Sequence, residues 1–370
     1  MRDDPLGIIL KLVRLGQKPN RIWIIEYISL FIFIVIEFHI LGGFYLVTDN
    51  VNFMEYLSMI SLMQFECTGF HLIGVYLTQS QRTLTTLRDI SKNLDLLSPS
   101  FEIKFLKKAQ FLMAFLMGLL IFNVCMSISC TPFLIDDGFV DVTYYKLKRF
   151  YGDGPDFVYV FFAVVFLIAG SFASMVPVMH FWYSTFHIQF QLNWLSSYVK
   201  QNLHEKLNDR SMENEKCQKL INKYLINVVK YRLSFKIAFD SVLNNGAMVI
   251  LLLLSLWINV IVLYNLINRT HLGTSFKMYM ILILSIILVV MATVCGQGII
   301  DESLTLRDAL YECPWMYWNL KNRKILLIIM TNVMEPWEIS FYDLFALNHQ
   351  TLTKGAKLVY SLTAVVSKFK

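Results

Sequence analysis

The chain reads as long apolar runs separated by short polar links. Crossing the ~30 Å hydrocarbon core of a bilayer takes roughly 20 mostly apolar residues in a helix. Six runs meet that requirement, at about 24–48, 54–78, 109–130, 157–183, 242–267 and 278–300. A seventh, at about 346–367, is weaker, because Thr351, Thr353, Ser361, Thr363 and Ser367 are spread along it. Ahead of it, "RKILLIIMTNVM" (Arg323 to Met334) is apolar but too short to span, which predicts a buried or interfacial helix. The predicted fold is therefore an all-α membrane protein with seven transmembrane helices.

Lysine and arginine distribution orients those helices, since the cytoplasmic links of a membrane protein carry the excess. The stretch 1–23, the link between the second and third runs, the link 184–241 and the link 301–345 together hold 24 lysines and arginines, against seven on the other side. This predicts a cytoplasmic N-terminus and, with seven spans, an extracellular C-terminus. The sequon Asn268-Arg269-Thr270 falls on the predicted outer side, making Asn268 a glycosylation candidate. The first 22 residues show no signal-peptide core.

Composition agrees: 56% of residues are hydrophobic, 16% are charged and the mean hydropathy is +0.52, whereas soluble chains carry about 25% charged residues. The six cysteines lie mostly in apolar or basic stretches, with neither a secreted disulfide pattern nor zinc-ligand spacing. No metal, cofactor or enzymatic centre is expected, because no carboxylate pair, histidine cluster or Ser-His-Asp set recurs at useful spacing. A transporter would show inverted repeats or paired helix breaks, and neither is seen. A G-protein-coupled receptor would place its N-terminus outside, and the chain lacks both an Asp-Arg-Tyr-like triplet after the third run and an Asn-Pro-x-x-Tyr in the seventh.

The last helix raises a specific question. Its hydroxyls gain little from facing lipid; buried between helices or lining water, they find partners. At helical spacing Tyr360, Thr363 and Ser367 fall on one face, with Val359, Leu362 and Val366 forming an adjoining stripe. The pattern fits a water-lined pore, or an ordinary helix satisfied within one chain.

From Asp308 to Val366 the sequence resembles the insect odorant receptor family. The elements come in order: "GQGIIDES", then Tyr311-x-Cys313-x-Trp315, a basic-apolar helix around Arg323–Met330, the Pro336 turn, Phe345-x-Leu347, and Lys357 with Tyr360-Ser361. Val359 stands where the family often has Ser or Thr, and the ending usual in the related gustatory receptors, the alternative reading, is absent. The family's co-receptor carries a long insertion between spans four and five; the link 184–241 has none, so the chain resembles a ligand-tuned subunit.

The resemblance implies an odorant-gated nonselective cation channel in the plasma membrane of a sensory neuron. It further implies a heterotetramer with co-receptor subunits, the last helix at its central axis. The organisation then reads as a cytoplasmic segment 1–23, a ligand-binding bundle 24–300 that includes the helical link 184–241, a cytoplasmic anchor 301–345, and a pore helix with its tail, 346–370. Pore-lining residues would be Tyr360, Thr363, Val366 and Ser367. Tyr311, Trp315 and Lys357 would serve the oligomeric anchor and subunit contacts.

A small volatile ligand needs an apolar cavity with a few polar groups. The outer halves of spans two to six supply Met59, Met63, Phe65, Phe122, Met126, Phe161, Phe162, Phe166, Trp257, Tyr264 and Tyr279, with Glu66 and Asn259 as polar candidates.

Overall fold

The computed structural model describes residues 99–129, 156–204, 215–243, 272–341 and 345–366, together with seven residues between 256 and 267. The predicted spans 24–48 and 54–78 and the segment 1–23 lie outside the described residues.

Among the described residues, six α-helices carry the fold: α1 (Pro99–Ser129), α2 (Asp156–Val199), α3 (Glu215–Leu243), α4 (Leu272–Tyr311), α5 (Leu320–Val333) and α6 (His349–Val366). A π-turn, Lys200–His204, closes α2. Two residue pairs, β1 (Ser340–Phe341) and β2 (Phe345–Ala346), form a short antiparallel hairpin that leads into α6. Among the described residues, Met278–Tyr311 is long and apolar enough to cross a membrane.

Two helices run well past the predicted spans. The apolar run in α2 ends near 183, yet the helix continues to Val199; that in α4 ends near 300, yet the helix continues to Tyr311. Polar residues in the extensions bind across the gap between them. The Gln189 amide donates to the Cys295 carbonyl at 2.8 Å, Asn193 to the Glu302 carboxylate at 2.8 Å and Ser196 to the Thr305 carbonyl at 3.4 Å. Farther along, the His204 ring nitrogen lies 3.0 Å from the Ala309 carbonyl. A polar group buried without such a partner would cost a few kcal/mol. The pairing therefore keeps the helices side by side where hydropathy no longer marks a span.

Apolar packing fills the rest. Trp182 on α2 stacks on Phe115 of α1 with ring centroids 6.3 Å apart. Along the seam between α2 and α3, Trp194 and Tyr198 meet Tyr224 and Tyr231 at 5.2–6.2 Å. Such edge-to-face pairs contribute beyond the area they bury.

Candidate functional site: a cleft beside the last helix

The weak seventh run forms a helix because its start is capped. The Asn348 side chain accepts from the Thr351 backbone N–H at 2.9 Å, fixing where α6 begins. Immediately before it, the Leu347 N–H donates to the Ile339 carbonyl at 2.9 Å. Leu347 also sits against α4 at Gly296, where an added Cβ would stand 2.2 Å from the Leu347 carbonyl oxygen. Only a residue without a side chain permits that approach, and the base of α6 is pinned there.

Above that point α6 turns one stripe toward its own chain: Leu352, Gly355, Val359 and Thr363 are buried or half-buried. Lys354, Lys357, Leu358, Tyr360, Ser361, Leu362 and Val365 are exposed. Tyr360 and Thr363, expected on one face, thus differ, with 77% of Tyr360 exposed and 6% of Thr363. The Thr363 hydroxyl donates to the Val359 carbonyl of its own helix at 2.8 Å.

Between α6, α4 and the residues Leu256, Asn259, Leu263 and Ile267 runs a cleft of about 1050 Å³. Leu263, Ile267, Leu282, Ile286 and Val289 form much of its wall, and Asn348, Gln350, Thr351 and Lys354 contribute polar groups from the first turns of α6. Asn259 lines it too, and its side-chain amide donates to the Ser285 hydroxyl at 2.9 Å.

Among the described residues, Asn259 is the one expected ligand contact that lines this cleft. Phe122 is half-buried against the core, whereas Phe161 and Tyr279 are exposed. Met126, Phe162 and Phe166 lie on α1 and α2, where their helical backbone alone is described. Met59, Met63, Phe65, Glu66, Trp257, Tyr264, the sequon residue Asn268 and the pore candidate Ser367 lie outside the described residues; Val366 closes α6. The cleft itself was not legible in the sequence, since its wall comes from three segments whose relative packing no local pattern encodes.

At the far end of α4, a second cluster gathers. Gln218 on α3 accepts from the Asn319 N–H at 3.0 Å and donates to the Tyr317 carbonyl at 3.2 Å. The Asn322 amide reaches both the Gln218 carbonyl and its side-chain oxygen at 2.9 Å, while Asn319 caps α5. Tyr311 and Trp315 point outward, and Cys313 and Trp318 supply the buried anchor of this region. Burial, with Glu312 adding to it, pushes the Cys313 thiol up to about 12. A thiol that stays protonated at neutral pH is a poor nucleophile. Alkylation of folded receptor at neutral pH, followed by peptide mass spectrometry, is expected to leave Cys313 unlabelled while labelling rises on denaturation.

The pattern that defines the 7tm odorant receptor family matches residues 49–360. The chain belongs to that family. Two solved structures share the odorant receptor's fold, both of the insect olfactory receptor OR5 from Machilis hrabei, one of them in complex with eugenol. Each is 15% identical in sequence, with alignments covering 99% of this receptor and 97% of that chain, at TM-scores of 0.69 for the eugenol complex and 0.70 for the other. At that identity the likeness shows the fold, an all-α seven-helix membrane receptor. Comparison with curated protein sequences finds no match.

Proposed function

We propose that this odorant receptor is the ligand-tuned subunit of an odorant-gated nonselective cation channel. In this reading it assembles with co-receptor subunits in a heterotetramer in the plasma membrane, N-terminus inside. The observation that supports it best is the surface of α6. One narrow stripe meets the receptor's own chain, while the opposite side presents Lys357 and Ser361 uncovered, and Tyr360, at the mouth of the cleft, is 77% exposed. A helix with exposed polar groups at membrane depth needs protein or water beside it, and a shared central axis supplies both. Tyr311 and Trp315, 71% and 43% exposed, suit contacts between subunits in the anchor. The family relative that holds eugenol supports a small volatile as ligand. The contact set for it is the one expected in the outer halves of spans two to six, Glu66 included.

Recording odorant-evoked current from cells expressing this receptor, with and without the co-receptor, tests the reading. Current only in the pair is the expected result; absence of odorant-evoked current across a broad volatile panel, with both chains at the surface, would sink it. Within the pair, Tyr360→Ala is expected to change cation permeability ratios. Thr363→Val removes a hydroxyl already engaged by its own helix and is expected to leave those ratios unchanged, costing at most about 1 kcal/mol. Reversal potentials in mixed-cation solutions distinguish the two.

A further inference from the structure

We infer that the cleft beside α6 holds an anionic phospholipid of the surrounding bilayer, its phosphate at Lys354 and its acyl chains along α4. The inference rests on the cleft's chemistry and on membrane residence, not on whether the assembly conducts ions.

The cleft is polar at one end. Asn348, Gln350, Thr351 and Lys354 cluster in the first turns of α6, next to the point where Leu347 meets Gly296. Among the described residues that line it, Lys354 is the only charged one and none carries a carboxylate. A helical lysine leans toward the N-terminus of its helix, which here is the polar end. The body is apolar, and polar groups along it are engaged: Asn259 with Ser285, Thr363 with the Val359 carbonyl, Thr293 with the Val290 carbonyl at 2.8 Å.

Such a wall suits an occupant with a single anion at one end and hydrocarbon elsewhere. Length points the same way, in a cleft of about 1050 Å³. The α4 wall from Leu282 to Thr293 extends ~17 Å at 1.5 Å per residue, close to half of the ~30 Å hydrocarbon core. One leaflet's acyl chains match that length.

The test uses full-length receptor in nanodiscs, with phosphatidylserine and phosphatidylcholine competing and bound lipid read by native mass spectrometry. Wild-type receptor is expected to retain phosphatidylserine in preference. Lys354→Gln is expected to lower that preference about fivefold, the worth of one lysine beside an anionic leaflet. Lys357→Gln, a neighbouring lysine outside the cleft wall, is expected to leave it intact. Val290→Trp, which fills the cleft body, is expected to lower retention of both lipids. Melting temperatures matching wild type confirm that each variant is folded, and Gly355→Leu offers a second cleft-filling substitution if Val290→Trp does not fold.

Four results would overturn the inference. The first is unchanged preference in Lys354→Gln, and the second is equal loss in Lys357→Gln, which would mean diffuse surface attraction. The third is displacement of phosphatidylserine by oleate or by inorganic phosphate alone, which would make either of those the occupant. The fourth is cross-linking of Leu358→Cys to a second subunit with no lipid retained, which would make the cleft a subunit contact.

Discussion

Gly296→Val is expected to remove most of the receptor from the cell surface. The new Cβ would fall 2.2 Å from the Leu347 carbonyl oxygen and 2.7 Å from the Leu347 Cβ, atoms that no side-chain rotation can clear. Relief requires moving α6 off α4 or breaking the Leu347 N–H bond to Ile339. Overpacking costs 1–3 kcal/mol where neighbours can give, so ~3 kcal/mol or more is expected where they cannot, against a total stability on the order of 5–15 kcal/mol. Gly118 provides the control, because an added Cβ meets nothing within 4 Å there. Gly298→Val should fall between: its Cβ meets the end of the Gln189 side chain at 2.5 Å, which can swing aside by giving up its bond to Cys295. Surface biotinylation should rank the three as Gly118, Gly298, Gly296 in decreasing abundance. Equal abundance of Gly296→Val and Gly118→Val would refute the close approach.

Asn322→Asp is the second large effect, and it changes almost no volume. Asn322 is 0% exposed, and its amide donates to two oxygens of Gln218. A carboxylate there would face two acceptors, and a flipped Gln218 amide would abandon the Asn319 N–H it now receives. An uncompensated buried charge costs about 3–5 kcal/mol. The substituted carboxyl would have its pKa raised by folding, so the deficit shrinks when acid protonates it and grows as pH rises. Thermal melting of purified receptor should show Asn322→Asp well below wild type at neutral pH, with the gap narrowing on acidification. A constant gap across pH would mean that charge is not the cause.

Hydropathy made the α4 span and the short helix α5 legible, and the ordered elements from Asp308 to Val366 made the family legible. Three things were not. Polar residues such as Asn193 and Ser196 read as a link, because hydropathy cannot see that each meets a partner on α4. Tyr311 and Trp315 stood out for the oligomeric anchor, but nothing in the pattern marked Cys313 and Trp318 as the pair that fills the chain's own core beside them. Identical aromatic character hides which ring turns inward. The cleft depends on how α4 and α6 are spaced from Leu256, Asn259, Leu263 and Ile267, and spacing between elements distant in sequence leaves no local trace. Gly296 came closest to announcing itself: "GQG" inside a helix is a poor helix former, and its reason is Leu347.

The hydrogen-bonded rungs that join α2 to α4 give the pair the character of a stiff beam. At 1.5 Å per residue, the 40 residues of α4 measure ~60 Å. A rocking of about 3° around its middle would carry each tip by about 1.5 Å in opposite directions. A push at one extremity of such a beam would reach the other as a sideways stroke.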